Sequence, residues 1–229
     1  MFKNLLSFWK EKDFLQGVLT DFSNMSQDTK DMFGFVCGKM IEEDAQEIGL
    51  LEEKLYSLDK QVNDIEKNIR KRIVEHLSIQ PGVDFPFCLV LMSIVKDAER
   101  IGDYAKNLLE VVRFKKEPWD KKLYFELFND SSERILGMFD KTKKAFVESD
   151  RNIAEDIWSI ERELSKKLDK IIEYLAGSDI NTNQAVCFTL VARYFKRIAA
   201  HLSNIATSVI LPISELDFYD ERHRNPESK

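Results

Sequence analysis

Glu99 and Asp103 stand four residues apart, and Asn107 four further on, in the stretch Asp97-Ala-Glu-Arg-Ile-Gly-Asp-Tyr-Ala-Lys-Asn107. At about 100° per residue, this spacing gathers three oxygen-bearing side chains on one side of a helix. Ile94, Ala98, Ile101, Ala105, Leu108 and Val112 form an apolar stripe on roughly the opposite side. The carboxylates are therefore expected on an outer face rather than in the core. Two carboxylates one turn apart suit a hard cation, which takes oxygen ligands. They read equally well as ordinary solvated surface charge.

The preceding helix offers a second set. Asp59, Asn63 and Glu66 fall at i, i+4 and i+7, beside that helix's own apolar stripe. If the two helices pack side by side, Asp59 and Glu66 complete a carboxylate site with Glu99 and Asp103. If they do not, the set is a solvated helix flank. Glu42, Glu43, Asp44, Glu52 and Glu53 read as solvent-facing charges near helix ends. His76 lies where a cation suits the end of a helix, and His201 reads as structural. There is no Ser-His-Asp set, no glycine-rich phosphate loop and no His-Glu-x-x-His. A carboxylate pair alone is thin ground for acid-base catalysis, which also needs a pocket and a perturbed pKa. An enzyme is not expected.

The elements that must carry these residues are helices. The chain has 229 residues, 44% hydrophobic and 32% charged, with eight glycines and five prolines. So few helix breakers among so many Leu, Ile, Lys and Glu point to an all-α protein. A net charge of −6 argues against a nucleic-acid binder, which needs clustered Lys and Arg. Cys37, Cys88 and Cys187 are odd in number, far apart and in apolar surroundings, so reduced thiols in a cytoplasmic protein are expected. The segment Met1–Lys10 is amphipathic but lacks a signal peptide's apolar stretch. The longest near-apolar run, Phe85 to Val95, is too short to span a bilayer.

Six long helices follow from the periodicity. The first covers Lys12 to Gln46. The second carries Leu51, Leu55, Leu58, Val62, Ile65, Ile69, Ile73 and Leu77 at spacings of three and four, and ends at Pro81-Gly82. The third starts with Asp84 as a cap and Pro86 in its first turn, and runs to Val112. Arg113 to Asp120 reads as a linker. The fourth helix covers Lys121 to Val147. The fifth carries Ile153 to Leu175 and closes on Gly177 as a C-cap. The sixth covers Asn183 to Ile210 and stops at Pro212. From Ser214 onward a frayed tail is expected. Phe22, Phe33, Phe125 and Phe139 are assigned to the core. Ala98, Gly102, Ala105 and Ala199 are assigned to close helix approach.

The two halves share one plan, and their third helices also align. Glu99-Arg-Ile-Gly-Asp-Tyr-Ala-Lys-Asn107 lines up with Lys196-Arg-Ile-Ala-Ala-His-Leu-Ser-Asn204. Such duplication predicts two tandem three-helix bundles related by internal pseudo-symmetry, divided as 1–116 and 117–229. Leu91 to Asn107, in the form Leu-x-x-Ile-x-x-Asp-x-Glu-Arg-Ile-Gly-Asp-Tyr-Ala-x-Asn, resembles the PhoU family. Leu58-Asp-Lys-Gln-Val-Asn-Asp-Ile-Glu66 resembles that family's second helix.

The resemblance implies a cytoplasmic accessory regulator of phosphate uptake or phosphate signalling. It would act through contacts with a phosphate transporter component or a sensor kinase, reaching the membrane only through that partner, and a homodimer is an admissible assembly. It also implies a metal cluster held through a Glu-x-x-x-Asp pair, which Glu99 and Asp103 match, with Asp59 and Glu66 as neighbours. Iron, zinc, manganese, magnesium and calcium are all admissible. The second repeat departs from the pattern. It has Lys196 and Ala200 where the first has Glu99 and Asp103, with Arg193 and Arg197 close by. A protonated lysine cannot ligate a metal. A metal ion is therefore expected in the first repeat only. The second should meet an anionic partner or make internal ion pairs with the fifth helix, for example through Glu161. A structural helical adaptor with no metal or phosphate role is the alternative.

Overall fold

The computed structural model describes residues 13–41, 45–79, 82 and 84–223. Its elements are α1 (Asp13–Lys39), α2 (Ala45–Ile79), α3 (Phe85–Phe114), α4 (Lys121–Phe128), α5 (Ser131–Glu148), α6 (Arg151–Ala176), α7 (Thr182–Thr207), a 3-10 turn (Ile213–Glu215) and α8 (Tyr219–His223). No strand occurs among the described residues. The protein is all-α. Helices α1, α2 and α3 pack pairwise as one three-helix bundle, and α5, α6 and α7 as a second. The bundles meet chiefly along α3 against α7, with α1 against α5 beside it. Among the described residues, no helix is long and apolar enough to cross a membrane.

Local chemistry explains where three of the helices begin. Asp150 caps α6 by accepting from the backbone N–H groups of Asn152 and Ile153, at 2.9 and 3.1 Å. Asn181 caps α7 through Asn183 N at 2.9 Å, and Asp120 caps α4 through Leu123 N at 3.0 Å. The apolar stripe of α6 at Ile157, Leu164, Leu168, Ile171 and Leu175 is buried, as its period demands. Phenylalanines join the two bundles across the seam. Phe33 meets Phe195 edge-on at 5.5 Å between ring centroids, and Phe22 meets Phe146 at 5.1 Å.

Several boundaries differ from expectation. The first helix ends at Lys39 rather than Gln46, and α2 begins already at Ala45. The expected fourth helix is two helices, broken at Asn129, whose φ of 37° lies in the left-handed region. Lys167 reaches across from α6 to hold the break. Its Nζ contacts the Phe128 carbonyl (3.1 Å), Asp130 Oδ1 (3.1 Å) and Ser131 Oγ (3.0 Å). A cation there satisfies the carbonyl that the interrupted helix leaves unpaired. The break turns Phe125 outward to 57% exposure, so it is not core, whereas Phe22, Phe33 and Phe139 are buried.

Asp84 makes no side-chain cap to α3. Its carboxylate instead meets His76 Nε2 at 3.0 Å, and the His76 ring stacks on Phe14. Gly177 ends α6 with φ −103°, so no left-handed cap is used there. The linker is pinned rather than loose. Trp119 is buried, Lys116 N donates to Asn183 Oδ1, and Asn183 Nδ2 donates to the Phe114 carbonyl. The C-terminal segment docks as well, at least through α8. Tyr219 is buried against Trp158, whose Nε1 donates to Asp220 at 2.6 Å. Residues 224–229 of the expected tail lie outside the described residues, as do Glu42, Glu43 and Asp44. Cys88 and Cys187 are buried, Cys37 is half-buried, and all three are free thiols.

A Cβ built on Gly102 would meet Thr29 Cγ2 at 3.5 Å and Met32 Sδ at 3.6 Å, which is ordinary contact. Close helix approach therefore does not require this glycine. Gly102→Ala should stabilise the fold by about 0.5–1 kcal/mol through helix propensity and lower unfolded-state entropy. A higher urea midpoint with unchanged slope would show it. Lys167→Met should act in the opposite direction, costing about 1 kcal/mol by leaving the Phe128 carbonyl without its donor. The same urea titration checks that sign.

Candidate functional site

The carboxylates of α3 do not face open water. Helix α2 packs along α3 and brings Asp59, Asn63 and Glu66 up to Glu99 and Asp103. The side chains of Glu99 and Asp103 are 20% and 31% exposed, those of Asp59 and Glu66 14% and 13%. The outer face expected from the wheel of α3 alone is thus a half-buried channel between two helices. All four predicted carboxylates lie in it. Asn63 Nδ2 donates to Asp59 Oδ2 at 3.3 Å, and among the described residues Asn107 takes no part in the network.

Three cations from the same two helices balance this charge. Lys106 Nζ sits between Asp59 at 2.7 Å and Asp103 at 3.1 Å. Arg100 lies 3.8 Å from Glu99 and 3.6 Å from Asp103. Arg70 pairs with Glu66 at 2.9 Å. Lys106 was not singled out in the sequence, although its i+3 spacing from Asp103 marked it as a partner. Burial, the neighbouring Asp103 and Glu66 charges and a hydrogen bond to Asp103 push the Glu99 carboxyl up to about 6, against the opposing pull of Arg100.

The donor chemistry suits a hard cation, since carboxylate oxygens converge from two helices. The charge is largely met already, because Lys106 occupies the position between Asp59 and Asp103. Among the described residues, no three His, Cys, Asp or Glu side chains are arranged as a ready metal cage. An ion on this face must compete with Lys106 and Arg100.

Asp97 does not join the channel. It is buried on the other flank of α3 and crosses the seam to α7. There it accepts from His201 Nδ1 at 2.7 Å and Asn204 Nδ2 at 3.3 Å. The register that aligns Glu99 with Lys196 aligns Asp97 with Tyr194, and Tyr104 with His201. Each first position should therefore meet the other repeat's second position. Asp97 does meet His201, and Tyr194 does meet Tyr104, at 5.8 Å between rings. One half of this reciprocal contact is a hydrogen bond and the other an aromatic pair.

In the second repeat, Lys196 Nζ binds Asp169 of α6 at 2.6–2.7 Å. The internal ion pair expected there is present, with Asp169 rather than Glu161 as partner. Glu161 is buried and held by Ser165, and burial raises its carboxyl pKa. The lysine thus anchors α7 to α6.

Two pseudo-equivalent three-helix bundles, one carrying a carboxylate channel and the other a lysine anchor in its place, define a duplicated helical scaffold. The sequence profile of the PhoU domain matches it twice, over residues 22–112 and 128–209, and the chain belongs to the PhoU family. It is 28% identical over 178 residues to the phosphate-specific transport system accessory protein PhoU homolog 1 of Thermotoga maritima, covering 75% of this chain and 67% of that protein. It is 26% identical over 161 residues to the corresponding homolog of Synechocystis sp., covering 68% and 71%. The fold matches the crystal structure of PhoU from Pseudomonas aeruginosa with a TM-score of 0.77 at 20% identity, over 88% of this chain and 97% of that one.

Glu99 makes stability depend on pH. Its folded pKa, about 6, lies above its ordinary value of 4.5, so folding binds a proton between the two. Stability therefore falls as pH rises through that window and carries the whole penalty above it. Glu99→Gln should leave stability unchanged near pH 4 and raise it by up to about 1 kcal/mol at pH 7, after allowance for solvent screening. Urea midpoints across that range are the measurement. An equal change at both pH values would remove Glu99 as the cause.

Proposed function

We propose that this chain is an accessory regulator of phosphate uptake or phosphate signalling, acting by contact with a phosphate transporter component or a sensor kinase and not by catalysis. The observation that carries this reading is the double PhoU-domain match laid over two pseudo-symmetric bundles. The T. maritima and Synechocystis relatives are named as accessory proteins of phosphate-specific transport. A non-enzymatic role accords with the site, whose carboxylates face lysine and arginine. The protein would work in the cytoplasm and reach the membrane through its partner. The repeats divide at 116/117, just before the buried Trp119.

The second part of the reading is a single cation site in the first repeat. Glu66, Glu99 and Asp103 would hold it, with Asp59 at the edge, and a hard or borderline ion such as iron, manganese, magnesium, calcium or zinc suits their oxygens. The ion would relieve the crowding that raises the Glu99 pKa. Lys196 and Ala200 deny the second repeat an equivalent site.

Tagged protein should retain a phosphate transporter component or a sensor kinase from lysate of its own cell. Retention of neither would favour the structural adaptor. Lys106→Met should bind a divalent ion about tenfold more tightly than the unaltered chain, since the competing ammonium is gone. Glu99→Gln combined with Asp103→Asn should abolish that binding with helicity intact. Metal content undiminished in this double variant would place the ion elsewhere.

A further inference from the structure

We propose that the groove where α3 meets α7 is a binding site for a phosphate-class oxyanion, either inorganic phosphate or a phosphate monoester. The groove encloses about 460 Å³ and draws its lining from both repeats. Lys96 and Arg100 enter from α3 and Arg197 from α7. Arg100 and Arg197 are equivalent residues of the duplicated sequence. The pseudo-twofold arrangement thus places one arginine from each repeat on the lining of one cavity. Guanidinium groups match the geometry of tetrahedral oxyanions and bind them through paired hydrogen bonds.

These cations differ from Lys106 and Lys196 in the state of their charges. Lys106 and Lys196 are tied to carboxylates at 2.7 Å or less. Lys96 and Arg197 lie exposed and make no ion pair or hydrogen bond among the described residues. Arg100 touches carboxylates only at 3.6 and 3.8 Å. The floor of the groove is different. Asp97 lies there, but His201 and Asn204 already bind its Oδ1. Those two hydrogen bonds occupy the Asp97 carboxylate, while the cations line the walls. Ser93 and Tyr104 line the cavity and bring neutral donors.

One carboxylate opposes the proposal locally. Asp217 lines the groove from the segment after the 3-10 turn, and its pKa is raised by burial and by the charge of Asp97. Lys96 and Arg197 offset Asp97 and Asp217, and Arg100, shared with Glu99 and Asp103, tips the lining positive. Asp217 sits in left-handed backbone, φ 70°, which asparagine tolerates nearly as well. Removing its charge is therefore a clean perturbation, opposite in sign to removing Arg197.

The test is a calorimetric titration of the full chain with inorganic phosphate and, separately, with glycerol phosphate. It requires no partner protein, so a negative result here leaves partner capture, and the regulatory reading, standing. At least one of the two ligands should bind. Arg197→Gln should weaken that binding about tenfold, and Lys96→Gln likewise, as expected for loss of a charge-assisted contact. Asp217→Asn should strengthen it about threefold, the scale of one solvent-screened charge. The ligand bound more tightly identifies the source of the phosphate group. Absence of binding for both ligands overturns the proposal. So does binding that none of the three variants changes in a protein whose helicity is intact.

Discussion

Helix α3 is required to be buried on three sides at once, and the rest of the molecule is arranged around that requirement. Its residues Leu91, Ile94, Ala98, Ile101, Ala105 and Leu108 are buried among the apolar contacts of the core. It packs against α1 and α2 within its own bundle and against α7 of the other. A helix so enclosed has no broad solvated face. Its charged residues must find partners on the neighbouring helices, because an unpaired charge in such surroundings is costly. That single constraint explains why Lys106 reaches Asp59 of α2, and why Asp97 crosses to His201.

The same requirement divides the polar residues of α3 between two environments. One flank faces α2 and gathers carboxylates from both helices, with Lys106 bridging them. The other faces α7 and carries Lys96 and Asp97. Arg100 stands between the two, lining the groove while lying within 4 Å of Glu99 and Asp103. Its guanidinium is the one group common to both sides.

Duplication supplied a symmetric frame, and substitution then made the two halves unlike. The frame persists in the paired packing of α3 with α7 and α1 with α5. Where the first repeat has Glu99, the second has Lys196, and the lysine no longer faces a carboxylate channel but ties α7 to Asp169 of α6. A further asymmetry is the interrupted helix α4–α5, where Lys167 supplies the contacts that the broken backbone lost. The first repeat keeps an unbroken α1 at the corresponding place.

The sequence by itself determined the helical class, the twofold plan and the residues of the carboxylate set. Each of these is written in local periodicity or in direct self-similarity. The spacing of Ile, Leu and Val fixes which face of a helix is buried, and Asp59, Glu66, Glu99 and Asp103 could be gathered from their places beside those stripes. Only the tertiary structure decided what each charge meets. A helical wheel for α3 alone cannot show that α2 covers Glu99, that Lys106 lies between Asp59 and Asp103, or that Asp97 belongs to the seam. Those facts depend on how neighbouring helices are rotated about their own axes. The break at Asn129 was hidden for a similar reason. Its left-handed backbone is weakly marked in the sequence and is held by Lys167, a residue 37 positions beyond Asp130. The docking of Tyr219 against Trp158 likewise rests on a long-range contact that no local pattern announces.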